Sequence, residues 1–187
     1  MVITRGRLHE DWKVPQTFRI CTPRLELVPG TPELAATSWR DHEGLSALLG
    51  AKVPWEWPPS LVPDPSSPDG AGWWDWYVVC WESDRPVLIG VVGIKGWPTV
   101  TGTVQHGGAF LSEFQRHGYG TEAFNALMAW VFTHPQVDHI VFDAPKDTDS
   151  AIGLLRKLGF SLSSSDEEEG LLRFRRARPL DVIPDSI

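Results

Sequence analysis

The sequence predicts one α/β domain built on a mixed, mostly antiparallel sheet flanked by helices. Three observations predict it. Alternating or apolar runs, two of them joined as a hairpin, lead up to a long amphipathic segment. One further strand-then-helix unit follows, and the chain then returns to a hairpin. No repeat or linker composition divides the 187 residues, a length that a single core can serve. The expected organisation is an N-terminal arm over 1–17, the domain over 18–180 and a C-terminal tail over 181–187.

Taken in order, Phe18–Val28 alternates enough to read as a first strand. Pro29-Gly30 turns the chain. Thr31-Pro32 then starts a helix, a hydroxyl cap with proline at the first helical position, and that helix should reach about Trp39. Asp41 starts a second helix and Gly50 ends it. Ala51–Gly72 holds six prolines with Trp55 and Trp57 and has neither period, so it reads as a loop over one end of the sheet. Trp73–Glu82 and Val87–Lys95 are strands joined by Ser83-Asp84-Arg85-Pro86. Thr103–Leu111 is the next strand, and its paired Gly107-Gly108 suggests a bulge or a close backbone approach. A helix over about 118–134 follows, with Ala123, Leu127, Trp130 and Val131 on one stripe. His139–Phe142 is a short strand and Thr148–Leu158 a helix ended by Gly159. Phe160–Ser165 and Leu171–Arg176 are strands around an acidic turn, Asp166–Glu169, whose charge the arginines from Arg173 to Arg178 mirror across the hairpin.

Bulk composition excludes several functions. Apolar and charged fractions of 42% and 22% are those of an ordinary globular protein. A formal net charge of −7 argues against a nucleic-acid binder and is compatible with a cationic or amine substrate. Cys21 and Cys80 form neither a metal spacing nor a disulfide framework, so no metal is expected and reduced thiols in a cytoplasmic protein are the plain reading. The first residues lack the apolar run of a signal peptide, and no segment reaches membrane-spanning length.

The chemistry concentrates in Phe110–Trp130, around Gln115-Arg116-His117-Gly118-Tyr119-Gly120. Glycine lets the backbone approach a ligand and take positive φ. The first N–H groups of a helix lack internal partners and sit at the positive end of its dipole, which makes an anion site. Gly118-Tyr119-Gly120-Thr121-Glu122-Ala123 also spells G-x-G-x-x-A, a dinucleotide fingerprint with Asp138 or Asp143 about 20 residues on. The context opposes that reading: Leu111–His117 intervene between strand and glycine, and only one further strand–helix unit follows.

The alternative is a coenzyme A pyrophosphate site. Gln115-Arg116-His117-Gly118-Tyr119-Gly120 matches the Q/R-x-x-G-x-G/A loop of the GNAT acetyltransferase superfamily, and Ser150-Ala151-Ile152 through Leu158-Gly159-Phe160 matches its second cofactor segment. Thr22-Pro23-Arg24-Leu25-Glu26-Leu27 and Trp57-Pro58-Pro59 also fit, in the right order. The chain resembles that superfamily over about residues 18–178, and is most similar to its ribosomal-protein N-terminal acetyltransferase branch. The resemblance implies acetyl-CoA as donor, an amine acceptor (small molecule or peptide) and central strands, Thr103–Leu111 and His139–Phe142, that splay apart for pantetheine. Backbone groups of Phe110 and Leu111 would bond the pantetheine, and N–H groups of His117–Thr121 the pyrophosphate. Gln115, Arg116, Thr148 and Ser150 complete the expected cofactor set.

The departures from the pattern bear on catalysis. Thr148 stands for the usual asparagine, Leu155 for a tyrosine acid and Gln105 for a glutamate, so the usual acid and base are both missing. His106 and Asp143 are then the candidate bases, and a backbone N–H near Leu111 the candidate oxyanion donor. A strand histidine with an ordinary hydrogen bond is the plainer account of His106. Trp55 and Trp57 are expected to wall an apolar acceptor pocket, with exposed-face packing or a homodimer contact as the alternatives, and Gln105 is a further expected substrate-binding residue. Trp76 and Trp81 read as core. The missing groups also leave open a non-catalytic acyl-CoA-binding relative.

Overall fold

The computed structural model describes residues 18–59, 73–82, 84–96, 98–166 and 168–180, and of Trp73 and Trp74 the backbone only. The expected arm, the tail, most of the proline-rich loop and Trp97 lie outside the described residues. Where a single first strand is expected there are two, β1 (Ile20–Cys21) and β2 (Leu25–Pro29), paired antiparallel. Pro23 has no N–H for a ladder, and the Thr22 hydroxyl closes the turn by accepting from Leu25 N at 2.9 Å. Helices α1 (Pro32–Ser38) and α2 (His42–Leu49) start where their caps predict. Thr31 Oγ1 accepts from Leu34 N, Asp41 Oδ1 accepts from Gly44 N, and Gly50 ends α2 at φ 63°.

Strands β3 (Trp73–Cys80), β4 (Val87–Lys95) and β5 (Thr103–Phe110) follow, then α3 (Tyr119–Phe132), β6 (His139–Pro145), α4 (Asp149–Lys157), β7 (Ser161–Asp166) and β8 (Leu171–Ala177). The eight strands form one sheet in the order β1-β2-β3-β4-β5-β6-β8-β7. Every neighbour pair is antiparallel except β5–β6. A doubly wound dinucleotide fold needs a parallel sheet, so that reading falls.

The strand period of two divides the side chains between two cores. One face packs Trp76, Val78, Val92, Ile94, Val104 and Ile140 against Phe124, Leu127 and Val131 of α3 and Leu155 of α4. The other packs Tyr77, Val79, Val91 and Leu111 against Leu34 of α1, Leu45 of α2 and Trp57.

The β5–β6 ladder lasts three residue pairs, Thr103↔His139, Val104↔Ile140 and Gln105↔Val141. Beyond it β5 follows β4 to Phe110, while β6 follows β8 to Pro145. Under the split sits the Phe124 ring of α3, edge-on to His106 (4.9 Å between centroids) and Phe142 (5.8 Å) and 6.4 Å from Phe110. Each forgone ladder bond is worth about 1 kcal/mol net, and burying one phenyl ring roughly 2–3 kcal/mol. The wedge therefore offsets much of the cost of keeping the strands apart.

The glycine pair in β5 makes no bulge, because the β4–β5 register runs unbroken from Lys95↔Gln105 to Gly90↔Phe110. It makes the close approach instead: a Cβ on Gly108 would lie 2.6 Å from the Val91 carbonyl oxygen. Two further expectations are corrected. Trp81 is 55% exposed and donates its indole N–H to Glu26 rather than filling the core. Three of the arginines make their hydrogen bonds away from the acidic turn: Arg173 and Arg176 of β8 to Asp143 and the Leu158 carbonyl, and Arg178 beyond it to the Val137 carbonyl.

Candidate active site

The hydrogen-bond parity of β5 decides which backbone groups face the split. Leu111 N donates to the Ile89 carbonyl at 2.9 Å. In an antiparallel ladder, residues alternate between pointing at the partner and pointing away. Leu111, Ala109 and Gly107 therefore bond to β4, while Phe110 and Gly108 turn their N–H and C=O to the gap. This corrects the expected role of Leu111, whose N–H is already committed to β4 and is unavailable to an oxyanion or to pantetheine. The free Phe110 carbonyl accepts from Gln115 Nε2 at 2.9 Å, so the glutamine of the loop motif caps the open strand edge.

From Phe110 the chain passes Leu111 and a 3-10 turn, Ser112–Phe114, into the glycine loop. Left-handed φ at Arg116 (64°) and Gly118 (85°) curls the backbone ahead of α3. The first helical bond is Glu122 N to the Gly118 carbonyl. Among the described residues the N–H groups of Arg116, His117, Gly118, Tyr119, Gly120 and Thr121 have no partner. Six orphan donors at a helix N-terminus are a cradle for a diphosphate. Gly120 lies over the mouth of the split, where an added Cβ would meet Phe110 at 3.6 Å and Leu154 of α4 at 3.7 Å. Thr148 and Ser150 sit at the start of α4, without a side-chain cap bond at Thr148 and with Ser150 exposed.

The loop is held by residues that the sequence showed only as pattern. Arg24, in the β1–β2 turn, donates from Nε to Glu122 Oε2 (2.6 Å) and from Nη1 to the His117 carbonyl (3.1 Å). Its guanidinium lies 4.6 Å from the centroid of the Tyr119 ring. Glu122 also accepts from the Thr22 hydroxyl and Arg24 N. Burial alone would raise the Glu122 carboxyl, but these hydrogen bonds outweigh it and hold it below its ordinary value. Tyr119 OH donates to Glu82, and Tyr77 is buried in the α1–α2 core. The chain has two tyrosines, so neither stands in for the missing tyrosine acid. Leu155 is buried in the α3 core.

The candidate bases are placed less favourably than their sequence positions suggest. His106 is 2% exposed, on the α3 face, with Nδ1 3.2 Å from the Gly107 carbonyl oxygen and Nε2 without a partner. Burial lowers its pKa to about 4 against a weaker opposing effect of the Gly107 contact, which describes a neutral ring sealed beneath the sheet. Asp143 lies on the opposite face. Both its oxygens accept from Arg173 at 2.7 Å, and Oδ2 also accepts from Gln105 Nε2 at 3.1 Å. Gln105 thus clips β5 to β6 where their pairing ends. Trp57 is 3% exposed and donates its indole N–H to Ser38 Oγ, so it is core rather than pocket wall, while Trp55 is 84% exposed.

A second carboxylate occupies this α1–α2 face. Asp75 of β3 pairs with Gly93, and Gly93 with Gly107. Continuing the β5–β6 offset past Gln105 would bring Asp143 opposite Gly107. Asp75 and Asp143 thus stand on one face of the sheet with Gly93, itself buried, and Gly107 between them. Asp75 is half-buried and has no hydrogen-bond or ion partner among the described residues, and burial raises its pKa to about 6.

A sheet split over an aromatic wedge, with orphan N–H groups at its mouth, is the architecture of an acyl-CoA-using transferase. Comparison with known proteins agrees. The family model described as "Acetyltransferase (GNAT) domain" matches residues 24–161, and the chain belongs to that family of acetyl-CoA-dependent N-acetyltransferases. It is 28% identical over 149 residues to the uncharacterized N-acetyltransferase YjdG of Bacillus subtilis, covering 73% of this chain and 85% of that one. Among solved structures it is similar in fold to RimL, a ribosomal L7/L12 α-N-protein acetyltransferase, in its apo form (TM-score 0.62, 15% identity, 86% of this chain and 94% of that one). A RimL structure in complex with coenzyme A matches at TM-score 0.60, with 15% identity over 86% and 98% of the two chains. Spermidine N-acetyltransferase from Vibrio cholerae, in complex with CoA and spermine, matches at 0.50 with 15% identity over 58% and 68%. At these identities the structures speak for the fold alone. No helix among the described residues is long and apolar enough to cross a membrane, and none of their His, Cys, Asp and Glu side chains cluster as a metal site.

Proposed function

We propose that this protein transfers an acetyl group from acetyl-CoA to a primary amine, on a peptide N-terminus or a small molecule, by direct attack. The observation behind it is the pairing of the orphan N–H groups at Arg116–Thr121 with an unpaired strand edge running inward from Phe110. The residues present fit coenzyme A. The loop N–H groups would hold its diphosphate, Phe110 and Gly108 would bond the pantetheine arm, and Gly120, Phe110 and Leu154 would shape the mouth. Bound there, the thioester supplies an activated acetyl carbonyl. The chain contributes positioning. Its gap-facing N–H groups, Gly108 and Phe110, are the donors available to a developing oxyanion.

The acceptor would enter over the α1–α2 face, since α3 and the wedge cover the other. Gln105 and Asp143, tied together and to Arg173, define one wall, and exposed Trp55 stands on the loop that follows α2. A peptide α-amine, with a pKa of ~7.7–8.0, is about 10–20% neutral near pH 7, so it needs less help from a base than a lysine-like amine.

Gln105 in place of a glutamate favours a second reading, a CoA-binding relative without turnover. Thiol release from acetyl-CoA over a panel of peptides and amines, beside thermal-shift titration with CoA, separates the two. Stabilisation by CoA with turnover supports transfer. Stabilisation with no turnover on any acceptor supports the binding protein.

A further inference from the structure

We propose that Arg24 is a positioning residue for the donor's diphosphate: held by Glu122, it fixes the His117–Gly118 peptide so that the Gly118 N–H is offered to the phosphate. The proposal rests on the coenzyme A reading of the site and names a residue that builds its cradle. Left-handed φ at Arg116 (64°) and Gly118 (85°) flanks His117. A non-glycine residue keeps such a φ only where its surroundings hold it. The group held is the His117 carbonyl, which accepts from Arg24 Nη1 at 3.1 Å. In a trans peptide the C=O and the N–H that follows point in opposite directions. With the carbonyl turned toward Arg24, the Gly118 N–H is turned away from it and stands among the orphan donors ahead of α3. A flipped peptide would present a carbonyl oxygen to the diphosphate instead of a donor.

Arg24 can act this way because its own place is fixed. Its carbonyl accepts from Trp81 N at 3.0 Å, just past β3, and the bonds between Thr22 and Leu25 close the turn around it. Glu122, in the first turn of α3, receives the side chain. Its Oε2 accepts from Arg24 Nε at 2.6 Å, and its Oε1 accepts from Arg24 N at 3.1 Å and from the Thr22 hydroxyl at 2.5 Å. A bare carboxylate there would repel a diphosphate at the same helix N-terminus. Bonded to Thr22 and Arg24, its charge is taken up inside the protein. The planar fork thus serves two acceptors at once, the Glu122 carboxylate through Nε and the His117 carbonyl through Nη1, which a lysine ammonium does not reproduce. Two further contacts keep the fork in its plane. The Tyr119 ring faces it at 4.6 Å, and Glu82, which accepts from the Tyr119 hydroxyl, lies 3.8 Å from Nη1. Nη2 backs Gly118 itself, where an added Cβ would be 3.3 Å away.

Wild type, Arg24→Lys and the double variant Arg24→Ala/Glu122→Gln are compared by calorimetry with CoA and by ¹H–¹⁵N NMR of the Gly118 amide. The double variant leaves no unpaired carboxylate, so a fold weakened by stranded charge does not obscure the result. CoA should move the Gly118 amide proton downfield in wild type and far less in both variants, whose Kd should rise by on the order of tenfold. A kinetic readout compares acetyl-CoA with S-acetylpantetheine, which lacks the diphosphate, as donors to the fastest amine of the panel. The preference for acetyl-CoA should fall by the same factor, whereas a merely structural loss would weaken both donors alike. An Arg24→Lys protein that binds CoA like wild type would overturn the proposal, since a point charge near the phosphates would then suffice. A Gly118 amide indifferent to CoA, or an unchanged Kd in the double variant, would overturn it as well. The binding measurements need no turnover. The expected losses in Kd with no transfer to any amine would sink the acetyl-transfer reading and keep Arg24 in its role, while a wild type that does not bind CoA would sink both.

Discussion

Replacing Asp75 by asparagine is expected to stabilise the fold at neutral pH. The carboxyl has a folded pKa of about 6 against an ordinary 3.8, raised by burial. Because the folded state holds this proton more tightly, it binds more protons than the unfolded chain between those values. Stability contributed by Asp75 is therefore fully present below pH 4, is lost as pH rises, and is gone above about pH 6. Two tenfold factors in proton affinity correspond to roughly 3 kcal/mol. Asparagine is similar in shape and carries no charge to desolvate, so Asp75→Asn should gain up to about 3 kcal/mol at pH 7.5. For a domain of this size that is an upward shift in Tm of about 6–10 °C. The advantage should shrink to nothing by about pH 4. Urea unfolding of both proteins at pH 4, 5, 6 and 7.5 measures it. A variant that is destabilised at pH 7.5, or a difference flat across the series, would show that Asp75 is neither desolvated nor unpartnered.

Four further outcomes are expected. Gly120→Val should abolish the thermal shift with CoA, because its methyls enter the space between Phe110 and Leu154; Gly120→Ala, whose Cβ makes only ordinary contacts there, should fold normally. Arg24→Ala should weaken CoA binding by on the order of tenfold in calorimetry, since two charge-assisted bonds that order the loop are lost; an unchanged Kd would detach the β1–β2 turn from the site. Trp57→Phe should cost about 1–2 kcal/mol by removing the buried bond to Ser38, without changing acceptor KM, whereas Trp55→Ala should leave Tm unchanged and, if it lines the acceptor's path, raise KM. His106→Gln should flatten the acid limb of the stability curve measured by denaturant titration, because a neutral amide has no proton to gain below pH 6.5.

What was legible in the sequence was local. Thr31-Pro32, Asp41 and Gly50 announce their helix ends because caps are chemistry between neighbours, and the glycine loop announces its anion site for the same reason. Cross-strand relations were not legible. Leu111 looked like an oxyanion donor until the parity of the β4–β5 ladder assigned its N–H to Ile89. Asp143 looked free until β8 brought Arg173 beside it from 30 residues away. Trp57 read as the wall of an acceptor pocket from its proline-rich surroundings, yet Ser38 gives its indole a buried partner. One further signal is carried by the sequence: Asp75 is the single charge in Trp73–Cys80, a strand otherwise apolar throughout. A charge there has to be paired, exposed or used, and the register sets it beside two glycines, with no partner among the described residues.

Asp75 and His106 sit on opposite faces of the same sheet and pull stability in opposite directions with pH. His106 is held neutral, its pKa lowered to about 4 from 6.5, so its contribution is present above pH 6.5 and is lost as pH falls toward 4. Asp75 gains stability over nearly the same interval as it protonates. Each effect is worth roughly 3 kcal/mol, so in the wild type they largely cancel and stability between pH 4 and 6 should be nearly level in these two groups. Single variants uncouple them: Asp75→Asn exposes the acid lability of His106, and His106→Gln exposes the acid gain of Asp75. The two residues are not equivalent for function. The histidine lies sealed against the Phe124 wedge that holds the split open, while the carboxylate stands on the opposite, α1–α2 face. A level stability curve would therefore conceal two opposed burials, one beneath each face of the same sheet.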